Sequence, residues 1–202
     1  MRVIIACERS GVVREAFAQR GHDAWSCDVE ETDIPGHHFR CDVLTVLDRG
    51  WDLMIAHPES RYLCSSGLHR NGRTRDASLT DRALEFVRAL MSAPIPKIAI
   101  ENPTGRIGTA IRPADQYVHP YWFGDDASKK TGLWLKGLHL LVPTNRFPPR
   151  IVTVNGVRRE RWGNQTDSGQ NRLGPSPERS YLRAKTYPGF AAAMAEQWGS
   201  CS

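Results

Sequence analysis

Five short apolar runs, each closed by a polar or acidic residue, limit what this chain can fold into. They are Arg2 to Cys7, Asp23 to Val29, Phe39 to Val43, Asp52 to His57 and Lys97 to Ile100. Runs this short, rich in β-branched and small apolar residues, read as strands covered on both faces. Helical spacing appears between them. Val12, Val13, Ala16 and Phe17 share one face of a segment that stops at Gly21. Leu84, Val87, Leu90 and Met91 share one face of a second, from Ser78 to Ala93, with Ser78 as its expected N-cap. The first hundred residues thus read β-α-β-β-β-α-β, the order of an α/β, Rossmann-like, doubly wound and mostly parallel sheet. Ligands of such sheets sit beyond the carboxyl ends of the strands. The informative positions are then Glu8 to Gly11, Asp28, Asp42, His57 to Arg61, and Glu101 to Pro103.

The second half reads differently. Tyr117 to Phe123 and Gly132 to Lys136 suggest an antiparallel hairpin around Gly124, Asp125 and Asp126. Arg150 to Ser180 is polar and without periodicity, and Phe190 to Trp198 is a closing helix. The 202 residues suit one domain, spanning 1–202, with a cofactor and catalytic half (1–103) and a hairpin, basic segment and closing helix (104–202).

Charge and cysteines narrow the function classes. The formal net charge is +5, which favours an anionic partner, nucleic acid first. Basic residues gather in two places. Arg61, Arg70, Arg73 and Arg75 lie in the loop beside the fourth strand. Arg158, Arg159, Arg161, Arg172, Arg179, Arg183 and Lys185 give residues 151–186 a local excess of seven Arg/Lys over three Asp/Glu. Trp162 and Tyr181 lie among these cations, and such aromatics stack bases. The five cysteines include no C-x-x-C pair, which argues against a disulfide framework or zinc ribbon and for a reducing, cytoplasmic setting. Cys7, Cys27 and Cys41 adjoin apolar runs and read as buried small residues. The pair His37-His38 has no third ligand nearby, so no metal is expected. No apolar run approaches the length of a membrane span.

The strand ends carry chemistry. Asp28 closes the second strand, where a carboxylate accepts from ribose hydroxyls. The first turn, Glu8-Arg9-Ser10-Gly11, lacks G-x-G-x-x-G, so a ribose-bearing ligand without a pyrophosphate, such as S-adenosylmethionine, fits better than a dinucleotide. Asp42 is placed to accept from an adenine amine, and Glu8 to meet the ligand's ammonium. Glu101 follows four apolar residues, a costly position for a carboxylate unless it is paired or functional.

The fragments VIIACERSGVVREAF, RGHDAWSCD, WDLMIAHP, IPKIAIENP, DDASKKTGLWLKGL, NQTDSGQNRLGPS and KTYPG, in this order, resemble small phage-type DNA cytosine-C5 methyltransferases from Arg2 to Gly199. The resemblance implies a class I methyltransferase fold, S-adenosylmethionine as cofactor, DNA as partner and a flipped-out cytosine as acceptor. It implies that Cys7, Glu8, Ser10, Gly11, Asp28, Asp42, His57 and Pro58 line the cofactor site. Glu101, with Asn102 beside it, would hold the cytosine. The chain departs from the family at the hardest step. Where the family has a second proline and the catalytic cysteine, this sequence has Glu59 and Ser60, followed by Arg61; Gly132 also stands where relatives carry cysteine. A serine hydroxyl needs an adjacent base to act as a nucleophile. Four explanations stay open: lost transfer with retained DNA binding, a different nucleophile such as Cys64, a different modification using Glu59 and Arg61 or a nucleotide substrate, or a constructed variant.

Overall fold

A computed structural model describes residues 1–65 and 76–200. Seven strands form one sheet in the order β3-β2-β1-β4-β5-β7-β6. They are β1 (Arg2–Ala6), β2 (Asp23–Asp28), β3 (His38–Arg40), β4 (Leu53–Ala56), β5 (Lys97–Pro103), β6 (Gln116–Val118) and β7 (Thr131–Lys136). The first five are mutually parallel, and β7 runs antiparallel to both of its neighbours. The chain leaves β1 towards β2 on one side and returns to place β4 on the other. The order therefore reverses between β1 and β4, the point beyond whose strand ends sheets of this kind place their ligands.

Period-two alternation sends the two faces of each strand into different cores. Ile4, Ala6, Met54, Ala56, Ile98 and Ile100 pack with Leu84, Val87 and Leu90 of helix α2 (Ser78–Met91). Val3, Ile5, Leu53, Ile55 and Ala99 pack with Val13 and Phe17 of α1 (Val12–Ala18), and with Phe190, Met194 and Trp198 of the closing helix, Pro188–Gly199. Each fully buried large aliphatic side chain contributes about 1.5–3 kcal/mol of transfer free energy. That double coverage is why the strands read as continuous apolar runs.

Several boundaries differ from the sequence reading. The third strand stops at Arg40, so Asp42 does not end it; Asp42 instead caps a 3-10 turn over Val43–Thr45, its Oδ1 accepting from Leu44 N at 3.0 Å. Ser78 is the first helical residue of α2 and not its cap. Asp76 takes the capping part, accepting from the Ser78 amide at 2.9 Å and its hydroxyl at 2.6 Å. The expected hairpin over 117–123 is shorter: β6 ends at Val118, and Pro120–Trp122 is a 3-10 turn. The segment 150–180 is not irregular throughout. It holds a hairpin of β8 (Arg150–Val154) and β9 (Val157–Arg161), turned at Asn155 and Gly156, both with positive φ. This is the φ pattern of a type I′ turn, for which Asn-Gly is the preferred pair. Two short helices also escaped the pattern, α3 (Arg106–Ala110) and α4 (Arg179–Ala184); the closing helix is thus α5. Among the described residues no helix is long and apolar enough to cross a membrane.

Candidate active site

The turn after β1 is built by Glu8. Cys7 takes a left-handed φ of 58° and Gly11 one of 72°, which folds the chain back so that Glu8 enters the start of α1. Its Oε1 accepts from Val13 N at 2.7 Å and Oε2 from Arg14 N at 3.2 Å, with the Ser10 hydroxyl donating to Oε1 at 3.2 Å. Burial raises the Glu8 pKa, against the opposing pull of His57 and the two amides. A Cβ on Gly11 would lie 2.9 Å from Arg14 Nη2, so the close approach as well as the φ requires glycine. With the helix amides answered by the chain's own carboxylate, this turn offers no phosphate cradle. It suits a ligand that has no phosphate.

Arg14, which no sequence pattern singles out, is 1% exposed inside α1. Its guanidinium donates to Ser26 Oγ (3.0 Å), Thr32 Oγ1 (3.2 Å) and the carbonyls of Ile34 (2.6 Å) and Pro35 (3.3 Å), and it pairs with Glu15 at 3.1 Å. One side chain thereby pins the loop that leaves β2. A buried arginine is rare enough that helical spacing around Val13 and Phe17 would have predicted an apolar residue there. Asp28, at the head of that loop, uses Oδ1 to accept from Glu30 N at 3.0 Å. Among the described residues, Oδ2 of Asp28 and of Asp42 accepts no hydrogen bond. Acidic acceptors after β2 and β3 and a phosphate-free turn after β1 fit the donor set of S-adenosylmethionine.

The second half of the site lies on β4 and β5. The register aligns Ala56 with Ile100, so His57 and Pro58 emerge beside Glu101 and Asn102. His57 Nδ1 lies 2.8 Å from Glu101 Oε2, with the two side chains only 10% and 6% exposed. Lys129 Nζ stands 3.9 Å from Oε1. Burial alone would raise the Glu101 pKa, but Lys129, the His57 hydrogen bond and charge, and Thr131 outweigh it and hold the carboxyl at about 2. Glu101 is therefore an ionised acceptor. An ionised carboxylate can only accept, so Nδ1 donates to Glu101 and Nε2 is the ring nitrogen left for another partner. Asn102 Nδ2 donates to Pro58 O at 2.7 Å and locks the two strand ends together. His57 Nε2 and Asn102 Oδ1 are buried without a hydrogen-bond partner among the described residues. Each such atom costs about 1–3 kcal/mol.

The loop after β4 is tied to the one after β5. Cys64 forms a bridge with Gly105, Arg106 N donates to Leu63 O at 2.7 Å, and Ser65 N donates to Thr104 O at 3.1 Å. Cys64 is buried in this join. Glu59 pairs with Arg61 at 3.0 Å, both more than half exposed. Ser60, half-buried, opens the 3-10 turn Ser60–Tyr62.

The basic residues divide. Arg158 and Arg159 are exposed on β9, and Arg183 is exposed on α4. Arg161 and Arg172 donate to the carbonyls of Asp167 (3.0 Å) and Gln165 (2.8 Å), and so partly build the loop under the hairpin. Lys185 pairs with Asp33 at 3.1 Å, and Arg9 with the same carboxylate at 3.0 Å; Tyr181 also bonds Asp33, with both cations over its ring. Arg70, Arg73 and Arg75 lie outside the described residues. Trp162 is not the base-stacking surface its place among arginines suggested. It is 7% exposed and stacked on Tyr121 at 4.0 Å. His37 stacks on Trp25 and His38 bonds Ser26, and no metal-holding group of three side chains occurs among the described residues. A surface hollow lined by Met91, Ile98 and Arg112 lies at the amino end of β5, away from this chemistry.

No family description and no curated protein matches the sequence. Solved structures do. A candidate DNA modification methyltransferase encoded within an E. coli prophage superposes with a TM-score of 0.51 at 15% identity, over 73% of this chain and 52% of its own. This chain thus spans about half the length of that one. An rRNA methylase from Escherichia coli gives a TM-score of 0.37 at 15% identity, over 67% of this chain and 57% of its own. Strand order, the reversed β7 and the first of these likenesses define the fold: the Rossmann-like fold of class I methyltransferases.

Proposed function

We propose that this protein transfers a methyl group from S-adenosylmethionine to an amino-bearing base of DNA, cytosine first. The observation that carries the reading is the buried, ionised Glu101, fixed at the carboxyl end of β5 with His57 and Asn102 beside it. An ionised carboxylate accepts from an exocyclic amine and repels a carbonyl edge, so it prefers cytosine or adenine to thymine. In this reading Asp28 accepts from the ribose, Asp42 from the adenine amine, and Cys7, Glu8, Ser10, Gly11 and Pro58 form the turn around the cofactor. When bound, S-adenosylmethionine supplies an electrophilic methyl group. Arg158, Arg159 and Arg183, with Arg161, Arg172 and Lys185 behind them, meet the DNA phosphates.

Glu59 faces Arg61, and among the described residues no base is hydrogen-bonded to the Ser60 hydroxyl. That favours an amine or another acceptor that needs no attacking cysteine as a second reading of the reaction. Calorimetry tests the cofactor half of the proposal. S-adenosylmethionine should bind the unaltered protein, and Asp28→Ala and Asp42→Ala should each weaken it about tenfold, the loss of one hydrogen bond to a charged group. Absence of binding by the unaltered protein would remove the proposal.

A further inference from the structure

Methyl transfer to an acceptor that carries hydrogen releases one proton per turnover. The acceptor atom bonds the methyl carbon with its own electron pair, the methyl–sulfur pair returns to sulfur, and the acceptor's proton must leave. Water or a side chain at the strand ends takes it, and the side chains there differ in their fitness for it. Glu8 gives both oxygens to the amides of α1. Asp28 and Asp42 cap turns at the cofactor side. Glu59 is exposed and paired with Arg61. Glu101, held ionised by Lys129 and His57, is too weak a base to accept a proton near neutral pH.

We infer that His57 is the proton acceptor of the site, its Nε2 lone pair aimed by the hydrogen bond from Nδ1 to Glu101. This rests on the methyl-transfer reading and deepens it. The carboxylate–imidazole pair at 2.8 Å fixes ring and tautomer. Nε2 is buried with no hydrogen-bond partner among the described residues, so no described protein group occupies it. Glu101 stabilises the imidazolium that forms when Nε2 takes the proton. Among the described residues, the charged groups that face the ring are Glu101 from β5, Glu8 from the turn after β1, and Lys129, which acts through Glu101.

His57→Asn tests this in the full chain. An asparagine amide can still donate to Glu101 but has nothing at the place of Nε2. At saturating cofactor and DNA, the single-turnover rate is expected to fall on the order of 10²-fold or more and to lose its acid limb. A variant that transfers methyl at the unaltered rate and pH profile overturns the assignment. A second measurement needs neither variant nor activity: nitrogen-resolved NMR of the His57 ring in the unaltered protein. Protonation at Nδ1 with a bare Nε2 is expected, and a ring protonated at Nε2 with a bare Nδ1 overturns it. Failure of the wider reading looks different, because the unaltered protein would then give no methylated product at all.

Discussion

Replacing Glu101 by Gln should flatten the response of stability to acid. The folded carboxyl sits at about 2 and an ordinary glutamate at 4.5. The folded value is depressed, so the stabilisation is present above the ordinary pKa and is lost as pH falls from there towards 2. The difference of 2.5 units corresponds to about 3 kcal/mol in full, and roughly 2 kcal/mol of it is gone by pH 3. Urea denaturation of the unaltered protein and of Glu101→Gln, every half unit from pH 6 to pH 3, isolates this group from the other carboxylates that titrate there. The gap between the two free energies should shrink by about 2 kcal/mol across that range. A gap that stays constant within about 0.5 kcal/mol would show that Glu101 is not held ionised. Lys129→Met should do part of the same, raising the Glu101 pKa and moving acid unfolding to higher pH.

Other expectations follow from single residues. Arg14→Met keeps the apolar stem and strands the groups that the guanidinium satisfies; it should cost about 3–5 kcal/mol and lower Tm by roughly 10 °C, read by calorimetry, and a loss under about 1 kcal/mol would refute the pinning role. Arg158→Ala and Arg159→Ala should each weaken binding to unrelated duplexes alike and reduce the slope of log K against log salt by about 1; an unchanged slope would remove the hairpin from the DNA surface. The Cys27 thiol, pushed up to about 12 chiefly by burial, should resist iodoacetamide at pH 8 in the folded protein and react once urea unfolds it, as followed by mass spectrometry.

The parallel half was legible because its signal is local. Val3, Ile5, Leu53 and Ile55 face one core, Ile4, Ala6, Met54 and Ala56 the other, and such strands announce themselves as unbroken apolar runs. The strand ends followed from the topology, which brought Glu8, Asp28, Asp42, His57 and Glu101 to one edge. What Glu8 and Glu101 do there was not legible. Glu8 turns into α1, and Glu101 is engaged by His57 from the next strand and by Lys129, which precedes β7; those contacts cross 44 and 28 residues, beyond any window of periodicity. Arg14 hid for a related reason. Its partners, from Ser26 to Pro35, exist only once the loop after β2 has folded over α1. The β8–β9 hairpin was missed because β9 is almost wholly exposed and lacks the apolar alternation that marks a half-buried strand. Its Asn155-Gly156 turn was the signal available.

Nucleoside mass spectrometry of DNA incubated with the protein and S-adenosylmethionine, with Ser60→Cys run alongside, tests the proposed activity most directly. A cytosine or adenine gaining one methyl group in the presence of the unaltered protein is the predicted result, and the base that carries it names the reaction. Binding of the cofactor without any methylated base, from either the unaltered protein or Ser60→Cys, would contradict methyl transfer to DNA.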